Sequence, residues 1–150
     1  MNEDLPEYLQ NVLRYAALET PLYLVLLLFI PLDYMGYSPV QVGIALFSTL
    51  AVSSLLIGYA TRADMKAKGL NLVFILLHYY GASALLIGLL FKLQHSQGAV
   101  LMLNVGISGL SLSLVLLFVP KIQELYLSKM KPILLRFLAL ISWSLYLLVQ

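Results

Sequence analysis

The sequence predicts an all-α membrane protein, a polytopic bundle of five transmembrane helices with four as the alternative. Three observations carry this prediction. Of the 150 residues, 61% are hydrophobic and 11% are charged, whereas ordinary soluble domains are roughly 45–50% apolar and about 25% charged. The mean hydropathy of +0.93 points the same way. Apolar runs of membrane-spanning length recur along the chain, since residues 34–61, 69–91 and 93–120 carry no Asp, Glu, Lys or Arg. Finally, the basic residues gather in alternate loops. A water-soluble globule of this length could not hide so much apolar surface. The same composition excludes a disordered chain and a nucleic-acid binder, both of which need charge. The absence of cysteine excludes disulfide scaffolds, thiolate metal sites, thiol redox chemistry and cysteine nucleophiles.

A membrane helix needs about 20 largely apolar residues, each rising ~1.5 Å. Inside lipid its backbone donors must close their own helical bonds. All 150 residues therefore read as one transmembrane domain, with spans at about 15–33, 39–60, 70–91, 98–119 and 133–149. The opening Met1-Asn2-Glu3-Asp4 is acidic and lacks the basic start and small-residue cleavage site of a signal peptide, so the first apolar segment is expected to stay as a span. That segment contains Glu19, with Pro21 in the first turn, where its missing N–H is tolerated. The last segment contains Arg136, whose long stem can snorkel to the headgroups. If one of these two terminal helices lies in the interface instead, four spans remain.

Loop charge sets the orientation. Arg14, Arg62, Lys66, Lys68, Lys121, Lys129, Lys131 and Arg136 fall on one side, leaving Lys92 as the single exception among the nine basic residues. The positive-inside rule then puts the N-terminus in the cytoplasm and, with five spans, Gln150 outside. The longest loop, 120–132, is too short to fold as a domain, so function is expected in the bundle or at its rims.

Several residues stand out within that frame. Ser54 with Gly58, and Ala84 with Gly88, are small residues four apart, which lets helix backbones approach in lipid. Asn104, Ser108 and Ser111 fall on one face of the 98–119 helix. They fit either interhelical hydrogen bonding or a polar path for protons or small solutes. His78 lies mid-helix beside Tyr79 and Tyr80. It fits either a neutral packing residue or a proton relay, because an ionisable group at depth is a functional candidate. Glu19 is near the inner rim, where it can pair with Arg136 or Arg14. Asp33, Lys92 and His95 form an outer-rim group. Lys92 complements the helix dipole at its C-terminus, and Gly98 suits the turn that follows because it accepts positive φ. With two histidines in the chain and no carboxylate near His78 in sequence, no metal spacing is present. No nucleophile–base pair or phosphate loop appears either. The expectation is a non-enzymatic protein without cofactor.

The run Leu90-Phe91-Lys92 … His95 … Gly98-Ala99 … Met102-Leu103, followed by Gly106, resembles the transmembrane hairpin of the small membrane subunit of the gliding-motility and type IX secretion motor. The resemblance covers residues 81–120. It implies a hairpin within a helical bundle that converts proton flow into motion, with its turn outside and Lys92 and His95 at the family's Lys and His positions. The family's membrane-embedded glutamate falls at Leu110, and Ser96 and Gln97 stand where an aromatic residue and a proline are usual. Leu27-Leu28-Phe29 and Gly36 recur 62 residues later as Leu89-Leu90-Phe91 and Gly98, which suggests two parallel hairpins plus one helix. The expected function is that of an inner-membrane component assembling with itself or with other membrane proteins among membrane lipids, with no nucleic acid. The alternative is a small proton or solute channel using His78 and the Asn104 stripe.

Overall fold

The computed structural model describes residues 5–35, 40–127 and 130–149, without the side chains of Asp33, Leu148 and Val149. It is all-α, and no strand occurs among the described residues. Helix α1 (Glu7–Tyr15) runs through a 3₁₀ turn (Ala16–Leu18) into α2 (Glu19–Tyr34), and α3 (Val40–Asp64) follows. Helix α4 (Gly69–Ile75) continues through a π-helical turn (Leu76–Tyr80) into α5 (Gly81–Leu93). After them come α6 (Ala99–Leu117), the short α7 (Pro120–Tyr126) and α8 (Met130–Val149). Five of these rods are long and apolar enough to cross a membrane: Glu7–Leu32, Val40–Asp64, Gly69–Leu93, Ala99–Leu117 and Met130–Leu147.

The first span begins eight residues earlier than its apolar run suggests, because α1 is amphipathic. Leu5 and Leu9 bury against Ala60, with Val12, Leu13 and Ala63 packed around them, while Tyr8 and Tyr15 stay exposed. Pro21 falls in the first turn of α2. It cannot donate to the carbonyl four residues back, and the 3₁₀ step lies just before it. The 120–132 loop is partly helical. Pro120 occupies the start of α7, where a proline costs no hydrogen bond. Ile122 and Tyr126 then reach under the bundle to Phe74, Ile75 and Ile133. The Tyr126 hydroxyl donates to Asn71 Oδ1 at 2.8 Å, and burial pushes its phenol pKa up, so this donor keeps its proton at neutral pH.

The third span is the hub, with 61% of its apolar window buried against 22–39% for the others. It packs on the second, fourth and fifth spans. Its contact with α6 is set by glycine. A Cβ on Gly106 would lie 2.4 Å from the Leu85 backbone nitrogen, and one on Gly88 would lie 2.7 Å from that of Leu103. Each leucine thus fills the notch left by the facing glycine, while Gly81 and Gly109 bring the two backbones together. Elsewhere Ser83 donates to the Ala51 carbonyl at 3.0 Å, tying the hub to α3. Trp143 Nε1 donates to the Leu26 carbonyl at 2.7 Å, tying α8 to α2. The Trp143 ring meets Phe47 edge-on at 5.1 Å.

Candidate functional site

Near the basic end of the bundle, four spans converge on one polar network. Glu19 comes from the first turn of α2, and Arg136 from the second turn of α8. Both are buried, and Arg136 Nη2 donates to Glu19 Oε2 in a direct ion pair. The Arg136 guanidinium turns into the bundle toward Glu19 instead of extending along its surface. Ser54 Oγ donates to Glu19 Oε1 at 2.8 Å. That commits the serine proton, so the Tyr23 hydroxyl donates to Ser54 Oγ, at 3.2 Å. The guanidinium carbon lies 4.6 Å from the Tyr79 ring centroid and 5.5 Å from that of Tyr23. A buried ion pair is tolerable when further hydrogen bonds and aromatic faces repay the desolvation of both charges; Ser54 supplies such a bond to Glu19 and two rings face the guanidinium, whose Nε and Nη1 have no hydrogen-bond partner.

The sequence brings these residues together by simple spacing. Glu19 and Tyr23 are one turn apart on α2, and Ser54 and Gly58 are one turn apart on α3. Ser54 therefore does more than allow close packing. A Cβ on Gly58 would lie 2.6 Å from Tyr79 Cβ, so this glycine seats Tyr79 beside Arg136. The π-helical turn 76–80 carries an extra residue in its turn, and both His78 and Tyr79 are buried. Sequence reasoning missed Tyr23 and Tyr79 because their role depends on a charge from α8.

His78 does not join the Asn104 stripe. Its ring stacks on Phe74 at 5.6 Å and meets Tyr79 edge-on at 5.1 Å. Ser113 Oγ donates to the Leu110 carbonyl at 2.8 Å and stands 3.4 Å from His78 Nδ1. His78 Nε2 has no partner. Asn104, Ser108 and Ser111 are exposed on the far side of α6, among Val100, Leu101, Val105 and Leu112. Leu110 is fully buried against the hub, so the hairpin presents an apolar contact at that position. Glu19 is the buried carboxylate among the described residues.

At the other end, Gly98 has φ +88° and His95 has φ +52°, so the turn uses two left-handed residues where the sequence signals one. Lys92 is half-buried on the last turn of α5, and His95 is exposed. The expected pairing of Asp33 with either residue lies outside the described residues, because the Asp33 side chain does. Ala84 is half-buried, whereas Gly88 is the closer contact to α6.

Five apolar spans organised around a glycine-notched hairpin define a multi-pass membrane protein. Residues 78–134 match the family model of the GldL N-terminal domain, a gliding-motility and type IX secretion segment. The match contains the 81–120 resemblance and runs from His78 into the start of α8. It leaves Glu19, Ser54 and Arg136 outside. No curated protein and no solved structure gives a significant match.

Proposed function

We propose that this protein is a non-enzymatic component of a membrane assembly of the motility- and secretion-motor kind, binding further copies of itself or other membrane proteins through the GldL-like hairpin. The outward face of α6 carries this reading. Asn104 and Ser108 line a groove of about 550 Å³ with Leu76, Tyr80 and Leu112. In lipid an unpaired amide or hydroxyl costs roughly 2–7 kcal/mol, and a neighbouring helix offering acceptors recovers part of that, about 0.6–2 kcal/mol per bond. The partners are membrane lipids and membrane proteins, and all 150 residues act as one transmembrane domain. In detergent the protein is expected to run at a multiple of 16.7 kDa. Asn104→Leu with Ser108→Leu should reduce it to one chain. A wild-type mass of one chain in mild detergent overturns the reading.

Loop charge supports a cytoplasmic N-terminus and an outer C-terminus. A reporter active only outside is expected to work when fused after Gln150 and to stay silent within 120–132. Activity in the loop would reverse the orientation, and silence at both sites would remove one span.

A second reading, conduction of protons or small solutes by His78 and the Asn104 stripe, has one observation in its favour, the unpartnered His78 Nε2. Because the stripe faces away from His78, such a path would have to run between copies. His78→Leu is expected to abolish proton flux into liposomes if the relay exists. Flux equal to the parent's leaves His78 as a packing residue.

A further inference from the structure

We propose that the cavity beside Arg136 binds the phosphate of a phospholipid headgroup. The cavity has a volume of about 420 Å³, within the roughly 300–1,000 Å³ of small-molecule sites. Its walls come from four spans, with Ala17 and Thr20 on the first, Thr61 on the second, Tyr79 on the third, and Pro132 and Arg136 on the last.

The guanidinium is what needs an occupant. The Arg136 side chain is 8% exposed. Nη2 serves Glu19, but Nε and Nη1 have no hydrogen-bond partner. Buried donors on a permanently charged group are costly when unmet. An anionic phosphate offers several oxygens to a planar guanidinium, which is the pairing arginine suits best. Glu19 does not compete for the anion, because its two oxygens are already engaged by Arg136 and Ser54.

Position selects a lipid as the source. Arg136 lies six residues into α8, roughly 9 Å from its start at ~1.5 Å per residue, on the end of the bundle where the basic loops gather. Exposed Arg14 and Lys131 directly adjoin the lining residues Leu13 and Pro132, and such basic residues draw anionic headgroups to a membrane surface. Leu13 and Ala16 add apolar wall for the glycerol and the first acyl carbons. Asp64 also lines the cavity and is engaged in an interaction of its own. Glu19 and Arg136 lie outside the GldL-like match, although Tyr79 and Pro132 lie within it, and the site does not depend on the assembly proposal.

Native mass spectrometry of the detergent-purified full chain, loaded with phosphatidylethanolamine and then washed, tests the site. The wild type is expected to retain one phospholipid per chain. Ala17→Phe, which fills the cavity, and the charge-free pair Glu19→Gln with Arg136→Gln should each lower retention about tenfold or more. Circular dichroism should show unchanged helix content in both. Displacement of the lipid by inorganic phosphate, with a raised unfolding temperature, would keep the phosphate site and move its source to solution. Two outcomes overturn the proposal: retention in both folded variants equal to wild type, or a wild type that keeps no lipid and does not respond to phosphate.

Discussion

Glu19→Ala is expected to destabilise the bundle by about 3–5 kcal/mol, the cost of stranding one member of a buried ion pair. Against a total stability of about 5–15 kcal/mol, that leaves much of the protein unfolded under mild denaturing conditions. Arg136→Met should cost less. Arginine has no neutral form in proteins, so removing Glu19 leaves a fixed charge against the Tyr23 and Tyr79 rings. Removing Arg136 leaves a carboxylate that still accepts the Ser54 hydrogen bond. Glu19→Leu combined with Arg136→Met should recover most of the loss, since an apolar pair of similar volume often matches or exceeds a buried ion pair. Unfolding in increasing SDS fraction reads all three. Additive losses in the double variant would mean that the two side chains stabilise the bundle separately.

The second large effect is expected at Gly106. Its missing Cβ would sit 2.4 Å from the Leu85 backbone nitrogen, and backbone cannot swing aside as a side chain can. Gly106→Ala must therefore part α5 from α6. Overpacking of this kind costs about 1–3 kcal/mol or more, and it outweighs the helix-propensity gain of about 1 kcal/mol for replacing glycine by alanine. Gly88→Ala, with 2.7 Å to the Leu103 nitrogen, should lose less. Gly81→Ala, with 3.2 Å to Gly109, should come out close to neutral. The same SDS titration ranks them, and a Gly81 loss exceeding that of Gly106 would contradict this packing register. Because the Gly106 contact lies within the GldL-like hairpin, Gly106→Ala should also impair assembly, whereas Glu19→Leu with Arg136→Met should spare it.

The bundle itself could be read from the chain because lipid imposes two blunt requirements, length and apolarity, and both are written locally. The turn at Gly98 was legible for a similar reason, since positive φ leaves few residue choices. Other features were not local. The amphipathic α1 looks too polar to extend a span until Leu5 and Leu9 are set against Ala60. The π-helical turn at His78 and Tyr79 has no composition signal of its own. The polar stripe of Asn104, Ser108 and Ser111 was visible as one face of a helix, but periodicity cannot say whether that face turns inward or out. Helix α6 turns it out because Gly106 and Gly109 on another face allow the closer backbone approach to the hub.

The sequence by itself determined the membrane class, the five apolar rods, the basic bias of one side and the hairpin that matches the GldL N-terminal domain. Each of these depends on residue type and spacing within a single stretch of chain. Only the tertiary structure decided that Glu19 and Arg136, 117 residues apart, meet in the interior, and that Ser54, Tyr23 and Tyr79 surround them. A charge at the edge of an apolar segment can snorkel to water or turn inward. The choice depends on whether neighbouring helices supply a counter-charge, a hydroxyl and aromatic faces at the same depth, and that information is spread over four spans.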